Sequence, residues 1–336
     1  MATRCKWWMV LVSCVGLAAV LAWMGLGTGG AAARPGPLAT APATGHVDLL
    51  IFAPHPDDET LGCTGIILQA LAEGKRIRVV DFTNGDGFPA AASALTGKPL
   101  DQLTPADFRE LARRRELEVA HALAILGLAP GDLTLLGYPD SGLDAVYQRS
   151  QGEPYRQKFT EATTTYAMSQ RDYHSAAHGS PAPYTRAAAL GDTAELIAQL
   201  CPSQVYVTSP HDGHADHRAA YGFVHDAMAT ARFHGEFYTY LIHASGPPSE
   251  WPWPHAVTPL QPFALHRYED QAVPAGLPWP PPRHVALTPA QAARKLEAIH
   301  AHLSRENAAS RRLMPGEREF LEAFVKSEEI FWPGGE

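Results

Sequence analysis

Two short segments concentrate imidazole and carboxylate groups: Pro54-His55-Pro56-Asp57-Asp58-Glu59 and His211-Asp212-Gly213-His214-Ala215-Asp216-His217. His55 and Asp58 are three residues apart, as are His214 and His217. On a turn that leads into a helix, this spacing can aim both groups at one point. A zinc site for hydrolysis needs three protein ligands and an open position. Histidine and aspartate would supply neutral nitrogens and a carboxylate, and zinc lowers the pKa of a bound water to about 7. A second carboxylate off the metal can act as general base, and a further histidine can donate to a developing oxyanion. The two segments together contain all of these groups. Either one alone has a plainer reading. The chain has 16 histidines, so some adjacency arises by chance, and an acidic run at a helix start is a favourable dipole partner.

The elements around the segments weigh against chance. Val47–Ala53 is a continuous apolar run closed by Pro54, as suits a buried parallel strand. Thr60–Glu73 has helical spacing and ends at Gly74. Further strands are expected at Arg76–Thr83, Leu133–Leu136, Gln204–Thr208 and Phe237–His243. Helices are expected at Asp107–Leu126, Thr193–Leu200 and Asp216–Ala231, with two more at about 289–306 and 316–329. Strands alternating with helices predict an α/β domain, Rossmann-like and three-layered, with a mostly parallel sheet. Such sheets bind ligands beyond the C-terminal ends of their strands, and both segments fall at such ends. Residues 144–188 break the alternation and read as an insertion; residues 245–288 are crowded with Pro and Trp and read as a long irregular loop.

The 336 residues carry a formal net charge of −8 without a basic cluster, which argues against nucleic acid as a partner. Four cysteines with no C-x-x-C pair exclude a disulfide scaffold and a cysteine-built zinc site; Cys63 and Cys201 are expected to be buried thiols. Residues 1–33 read as a signal peptide or membrane anchor. Arg4 and Lys6 precede an uncharged run from Trp7 to Leu26, and Ala31-x-Ala33 is a plausible cleavage site. Twenty residues at about 1.5 Å each can cross a bilayer. The positive end stays inside, so the remainder is expected to be exported, periplasmic or extracellular, touching the membrane only through this segment. Gly25-Leu26-Gly27-Thr28-Gly29-Gly30 matches a dinucleotide loop in letters alone, because no strand precedes it. Residues 34–45 read as a Pro/Ala-rich linker and 46–332 as the catalytic domain.

The chain resembles the PIG-L, or LmbE-like, zinc-dependent de-N-acetylases. The resemblance rests on Pro54 through Gly62 together with His214-Ala215-Asp216-His217. Thr83-Asn84-Gly85, Arg115-x-x-Glu118 leading to Leu126-Gly127, Leu136 through Leu143, and Lys295 through Ser304 also agree. It covers most of residues 46–307. Pro54, Ala215 and Arg305 depart from the usual pattern, and none of them removes a ligand. The resemblance implies that His55, Asp58 and His217 bind zinc, although such a donor set also takes other divalent ions. It implies that Asp57 is the general base, that His214, protonated, stabilises the oxyanion, and that Asp216 orients or charges His214. Arg115 and Asp140 would then meet the substrate. The implied reaction is hydrolysis of an N-acetyl amide on a glucosamine unit, and with the leader this points to an exported glycan or glycoconjugate. An amidase acting on another acyl amine, or a metal-containing glycan-binding protein without turnover, are the rival readings. Glu59 is expected to brace the loop, and His211, Asp212 and His243 to be structural. Trp251, Trp253 and Trp279 are expected to pin their loop by aromatic packing, with sugar contact as the alternative.

Overall fold

The computed structural model describes residues 45–149, 154–244, 251–268, 271–302 and 316–335. The leader, nearly all of the 34–45 linker, Ser304 and Arg305 lie outside the described residues. Among the described residues no helix is long and apolar enough to cross a membrane.

The apolar run at the start of the domain forms strand β1 (Leu49–Ala53), in which every residue is buried. Its side chains alternate between two layers. Leu49 and Ile51 pack with Ile66, Ile67, Val119, Leu123 and Ile299 on one face. Leu50 and Phe52 pack with Ile197, Phe223 and Val224 on the other. Burial on both faces is why the segment reads as a continuous hydrophobic run. The two clusters separate helices α1 (Asp58–Ala72), α3 (Pro105–Leu126) and α8 (Pro289–Ala301) from α4 (Leu143–Gln148), α6 (Arg186–Leu200) and α7 (Ala215–Ala231). The result is the three-layer α/β arrangement expected from sequence.

The remaining strands are β2 (Ile77–Thr83), β3 (Leu133–Tyr138), β4 (Gln204–Thr208), β5 (Glu236–Tyr240), β8 (Arg283–Ala286) and β9 (Glu328–Pro333). The seven-stranded sheet runs in the order β3-β2-β1-β4-β5-β9-β8. Its first five strands are parallel, with Ile51 facing Val79 on one side and Tyr206 on the other. β9 pairs antiparallel to β5, and β8 antiparallel to β9. Strands β6 (His266–Tyr268) and β7 (Gln271–Val273) form a separate hairpin. Short helices α2 (Pro89–Thr96), α5 (Tyr173–His178) and α9 (Glu317–Glu322) complete the elements.

Beyond shifts of a few residues at the ends of other elements, three departures from the sequence expectation stand out. The helix expected over 316–329 stops at Glu322, and the chain re-enters the sheet as β9. Ile330, Phe331 and Trp332 are buried there, and the Glu329 carboxylate accepts from Lys295 Nζ at 2.7 Å and from Ile66 N at 3.3 Å. Lys295 also donates to Leu61 O at 2.6 Å, so one buried ion pair ties α8, α1 and β9 together behind the β1 loop. The stretch expected to be wholly irregular holds β8, because β9 offers it an edge. Helix α6 begins at Arg186 rather than Thr193, with the Thr185 hydroxyl capping it by accepting from Ala188 N.

Within the expected insertion, α4 belongs to the helical layer and 154–185 wraps over the end of β3. Gln157 donates to Asp140 O at 3.0 Å, and Met168 N and Ser169 N donate to the buried Glu116 carboxylate.

Candidate metal centre

β1 and β4 are hydrogen-bonded parallel neighbours, so the loops leaving their C-terminal ends emerge side by side. That pairing brings together residues far apart in the chain. His55 Nδ1 lies 3.1 Å from His217 Nε2, and Asp58 Oδ2 lies 3.3 Å from His55 Nδ1 and 3.2 Å from His217 Nε2. The three side chains are 8%, 3% and 0% exposed for His55, Asp58 and His217. Three ligands bound tetrahedrally to zinc at about 2.1 Å stand about 3.4 Å from one another. The observed triangle therefore fits one shared divalent ion. A proton between the two imidazoles would satisfy only one side of it, whereas a cation takes a lone pair from each corner.

The groups behind the triangle fit the same reading. The other nitrogen of His217 faces Asp212 Oδ2 at 3.1 Å, and that of His55 faces Asp140 Oδ1 at 3.3 Å and Asp216 Oδ2 at 3.6 Å. A carboxylate behind a ligating imidazole fixes its tautomer and raises its basicity. Burial works against charge on His217, yet Asp212 and Asp58 bring its pKa up to about 9. Burial likewise opposes ionisation of Asp58, but His217 and His55 hold it well below the usual carboxylate range. Asp140 is also held low against its burial, by His55 and Arg115. Asp58, Asp140 and Asp212, all held low, thus bring negative charge to the triangle, which favours a cation there.

Asp57 sits beside the triangle with φ at 151°, a strained conformation for a residue with a side chain. Such strain persists only where its surroundings impose it. Asp57 N donates to Glu59 Oε2 at 3.1 Å, and Arg115 donates to Asp57 Oδ2 at 2.8 Å. Arg115 also donates to Pro56 O at 3.0 Å and Gly85 O at 3.1 Å. A Cβ on Gly85, where φ is +66°, would sit 2.3 Å from the guanidinium, so only glycine lets Arg115 pass. Arg115, expected at the substrate, is thereby buried under the loop and holds the Asp57 carboxylate. Glu59 is fully buried and accepts from the Thr60 hydroxyl, the bracing role expected of it.

Asp140 and Asp216 also turn inward. Asp140 Oδ2 accepts from Gly87 N at 2.5 Å while Oδ1 faces His55, so its carboxylate stands behind that imidazole. Asp216 was expected to orient or charge His214. Its carboxylate accepts from Ser141 N at 2.7 Å and Asp144 N at 3.1 Å, its backbone N–H donates to His214 Nδ1 at 3.2 Å, and its charge favours a proton on His214. That bond makes His214 Nδ1 an acceptor, which leaves its proton on Nε2. Burial and the neighbouring His55 and His217 push the His214 pKa down to about 4. Burial and the neighbouring imidazoles thus oppose the protonated state expected for His214, while the Asp216 carboxylate favours it.

Sequence reasoning undervalued two residues. Asp212 is fully buried and accepts from Ile242 N and His243 N, both at 3.0 Å, besides facing His217. His243 packs its ring 5.0 Å from that of His217 and 5.6 Å from that of His214, and stacks on Phe320. Its place at the end of the strand next to β4 was the available signal. His211 was expected to be structural, and its N–H closes the turn by donating to Ser209 Oγ at 3.1 Å. Trp251 is buried against Phe263, Trp253 packs on His255 and His266, and Trp279 packs on the core, so all three pin their loop. Cys63 is buried, but Cys201 is exposed at the end of α6, against the expectation of two buried thiols.

The family model described as PIG-L, GlcNAc-PI de-N-acetylase, matches residues 50–228, just over half of the chain and both metal segments. The chain belongs to the PIG-L family. Among solved structures it is similar to an N,N'-diacetylchitobiose deacetylase from Pyrococcus horikoshii, at 18% identity over 85% of this chain and 84% of that one, with a TM-score of 0.48. It is similar to teicoplanin deacetylase Orf2 at 17% identity, 85% and 97% coverage and a TM-score of 0.48. It is also similar to a conserved protein from Thermus thermophilus at 21% identity, 85% and 94% coverage and a TM-score of 0.46. No curated protein matches the sequence. As a PIG-L protein the chain keeps the acidic and imidazole groups of both segments on one side of a mostly parallel sheet.

Proposed function

We propose that this PIG-L protein is a zinc-dependent hydrolase that removes the acetyl group from an N-acetylated amino sugar of the N-acetylglucosamine type in an exported glycan or glycoconjugate. The observation that carries the reading is the 3.1–3.3 Å triangle of His55, Asp58 and His217 with the strained Asp57 beside it. Zinc in that triangle would polarise the amide carbonyl and bring the pKa of a water to about 7.

The chain supplies the remaining steps. Asp57 takes the proton of the attacking water, and Arg115 aims its carboxylate. His214, neutral with its proton on Nε2, donates to the carbonyl oxygen as charge develops there. Asp212 fixes the tautomer of His217, and Asp140 and Asp216 do the same for His55. Arg4, Lys6 and the apolar run after them support export and an outward-facing location.

Chelated protein should release acetate from N-acetylglucosamine conjugates only after zinc is added back. Asp57→Asn should lower turnover by about 100- to 10,000-fold, the range for a lost general base, with zinc content unchanged. Zinc-loaded protein that releases no acetate from any amino-sugar conjugate would overturn the reading, and loss of zinc in Asp57→Asn would make Asp57 a ligand.

A further inference from the structure

The segment that wraps the end of β3 carries a second group of metal-type donors, on helices α5 and α6 rather than on the β1 and β4 loops. His174 and His178 are four residues apart on α5, so they share a face, and their rings lie 4.5 Å apart. Asp192 and Glu195, three apart on α6, face them. His174 Nδ1 lies 2.7 Å from Asp192 Oδ1, and His178 Nε2 lies 2.9 Å from Glu195 Oε2. One donor atom from each of His174, His178 and Asp192 falls within 4.8 Å of the others.

We propose that His174, His178 and Asp192 form a second divalent transition-metal site, selective for zinc-like ions, that clips α5 to α6. Two imidazoles and one carboxylate are the donor set of the first centre, and imidazole suits zinc, copper and nickel over magnesium or calcium. Asp192 is the fixed corner. Its side chain is 3% exposed, and its second oxygen accepts from the Tyr138 hydroxyl at 2.7 Å, which leaves Oδ1 directed at the histidines. A ligating carboxylate held by a hydrogen bond on its other oxygen is the usual supporting arrangement. His178 is the adjustable corner: 40% exposed, it can turn the short distance needed to close the triangle, and it gives the ion a path from solvent. Glu195 either completes the tetrahedron or orients His178.

The clip has a structural consequence. Tyr138 lies on β3 two residues before Asp140, which faces His55. An ion at α5 would thus fasten the 154–185 segment to the strand end beneath the first centre. The two sites differ in ligands, so each can be emptied alone.

The test is metal stoichiometry on the full chain, chelated, reloaded with zinc and gel-filtered, with affinities from competition against a chelating dye. Wild type should retain two zinc ions per chain, and His174→Gln/His178→Gln one. His178→Gln alone, at an exposed position, should weaken only the second equivalent, by about tenfold or more, the scale on which metal-site changes act. His217→Ala should instead lose the first and keep the second. The second equivalent should also raise the Tm of wild type and leave that of His178→Gln unmoved. One zinc per chain in wild type, or two in His174→Gln/His178→Gln, would overturn the proposal.

Discussion

The two groups of two histidines and an aspartate use the same donors in different settings. His55, Asp58 and His217 lie almost wholly buried at strand ends, and each imidazole is backed by a carboxylate. His174 and His178 lie partly exposed on a six-residue helix, and only Asp192 is buried. A buried site presents its ligands at ion-sharing distance before the ion arrives, so little ordering remains to be done on binding. A surface site must draw a mobile imidazole into place. The comparison separates a centre built to hold a cation for chemistry, with Asp57 and His214 at hand, from one suited to fastening a segment.

The largest effect expected is from His217→Ala. It removes a corner of the buried triangle and should abolish tight zinc binding at that site and acetate release with it, while stoichiometry still shows the ion at α5. Retained activity in that variant would erase the distinction between the sites. Asp57→Asn comes next, because it should strike turnover and spare both ions. Asp212→Asn should be milder. It keeps the shape behind His217 but weakens the charge, and should cost about 10- to 100-fold in affinity for the first zinc, read by chelator competition. An equal loss at the second site would show that the two are not independent.

The smallest effect concerns how firmly the segment bearing the second site is held. Burial raises the Glu116 carboxyl from 4.5 to about 7, although the Met168 and Ser169 N–H groups pull it back. The folded state keeps this proton in a range where the unfolded chain has lost it, so Glu116 makes stability fall as pH rises from about 4.5 to about 7. In Glu116→Gln that part of the slope should vanish. Urea unfolding of wild type and variant across the window checks it, and identical slopes would remove Glu116 from the account.

Much of the parallel half was legible in the sequence because its signals are local. Strand β4 follows the expected Gln204–Thr208, and β1, β2 and α3 differ by a residue or two at their ends. β8 and β9 were not legible. Both lie on the antiparallel edge, and the residues before β9 are as compatible with a helix as with a strand until Lys295 and β5 fix their place. Within the site, residue types named the chemistry, but side-chain direction did not follow from them. Arg115 and Asp140 were charges beside a motif in sequence, and packing turned both inward toward Asp57 and His55.

The sequence by itself determined which donors are present, at what spacing, and that they follow buried strands, because composition and periodicity are properties of neighbouring residues. Only the tertiary structure decided that Asp58 meets His217, that Asp212 backs it, and that the Asp216 N–H meets His214 Nδ1. Those facts depend on β1 lying next to β4 and on the charges gathered around one buried point. Strand order and burial arise from contacts across more than a hundred residues, which no local pattern records.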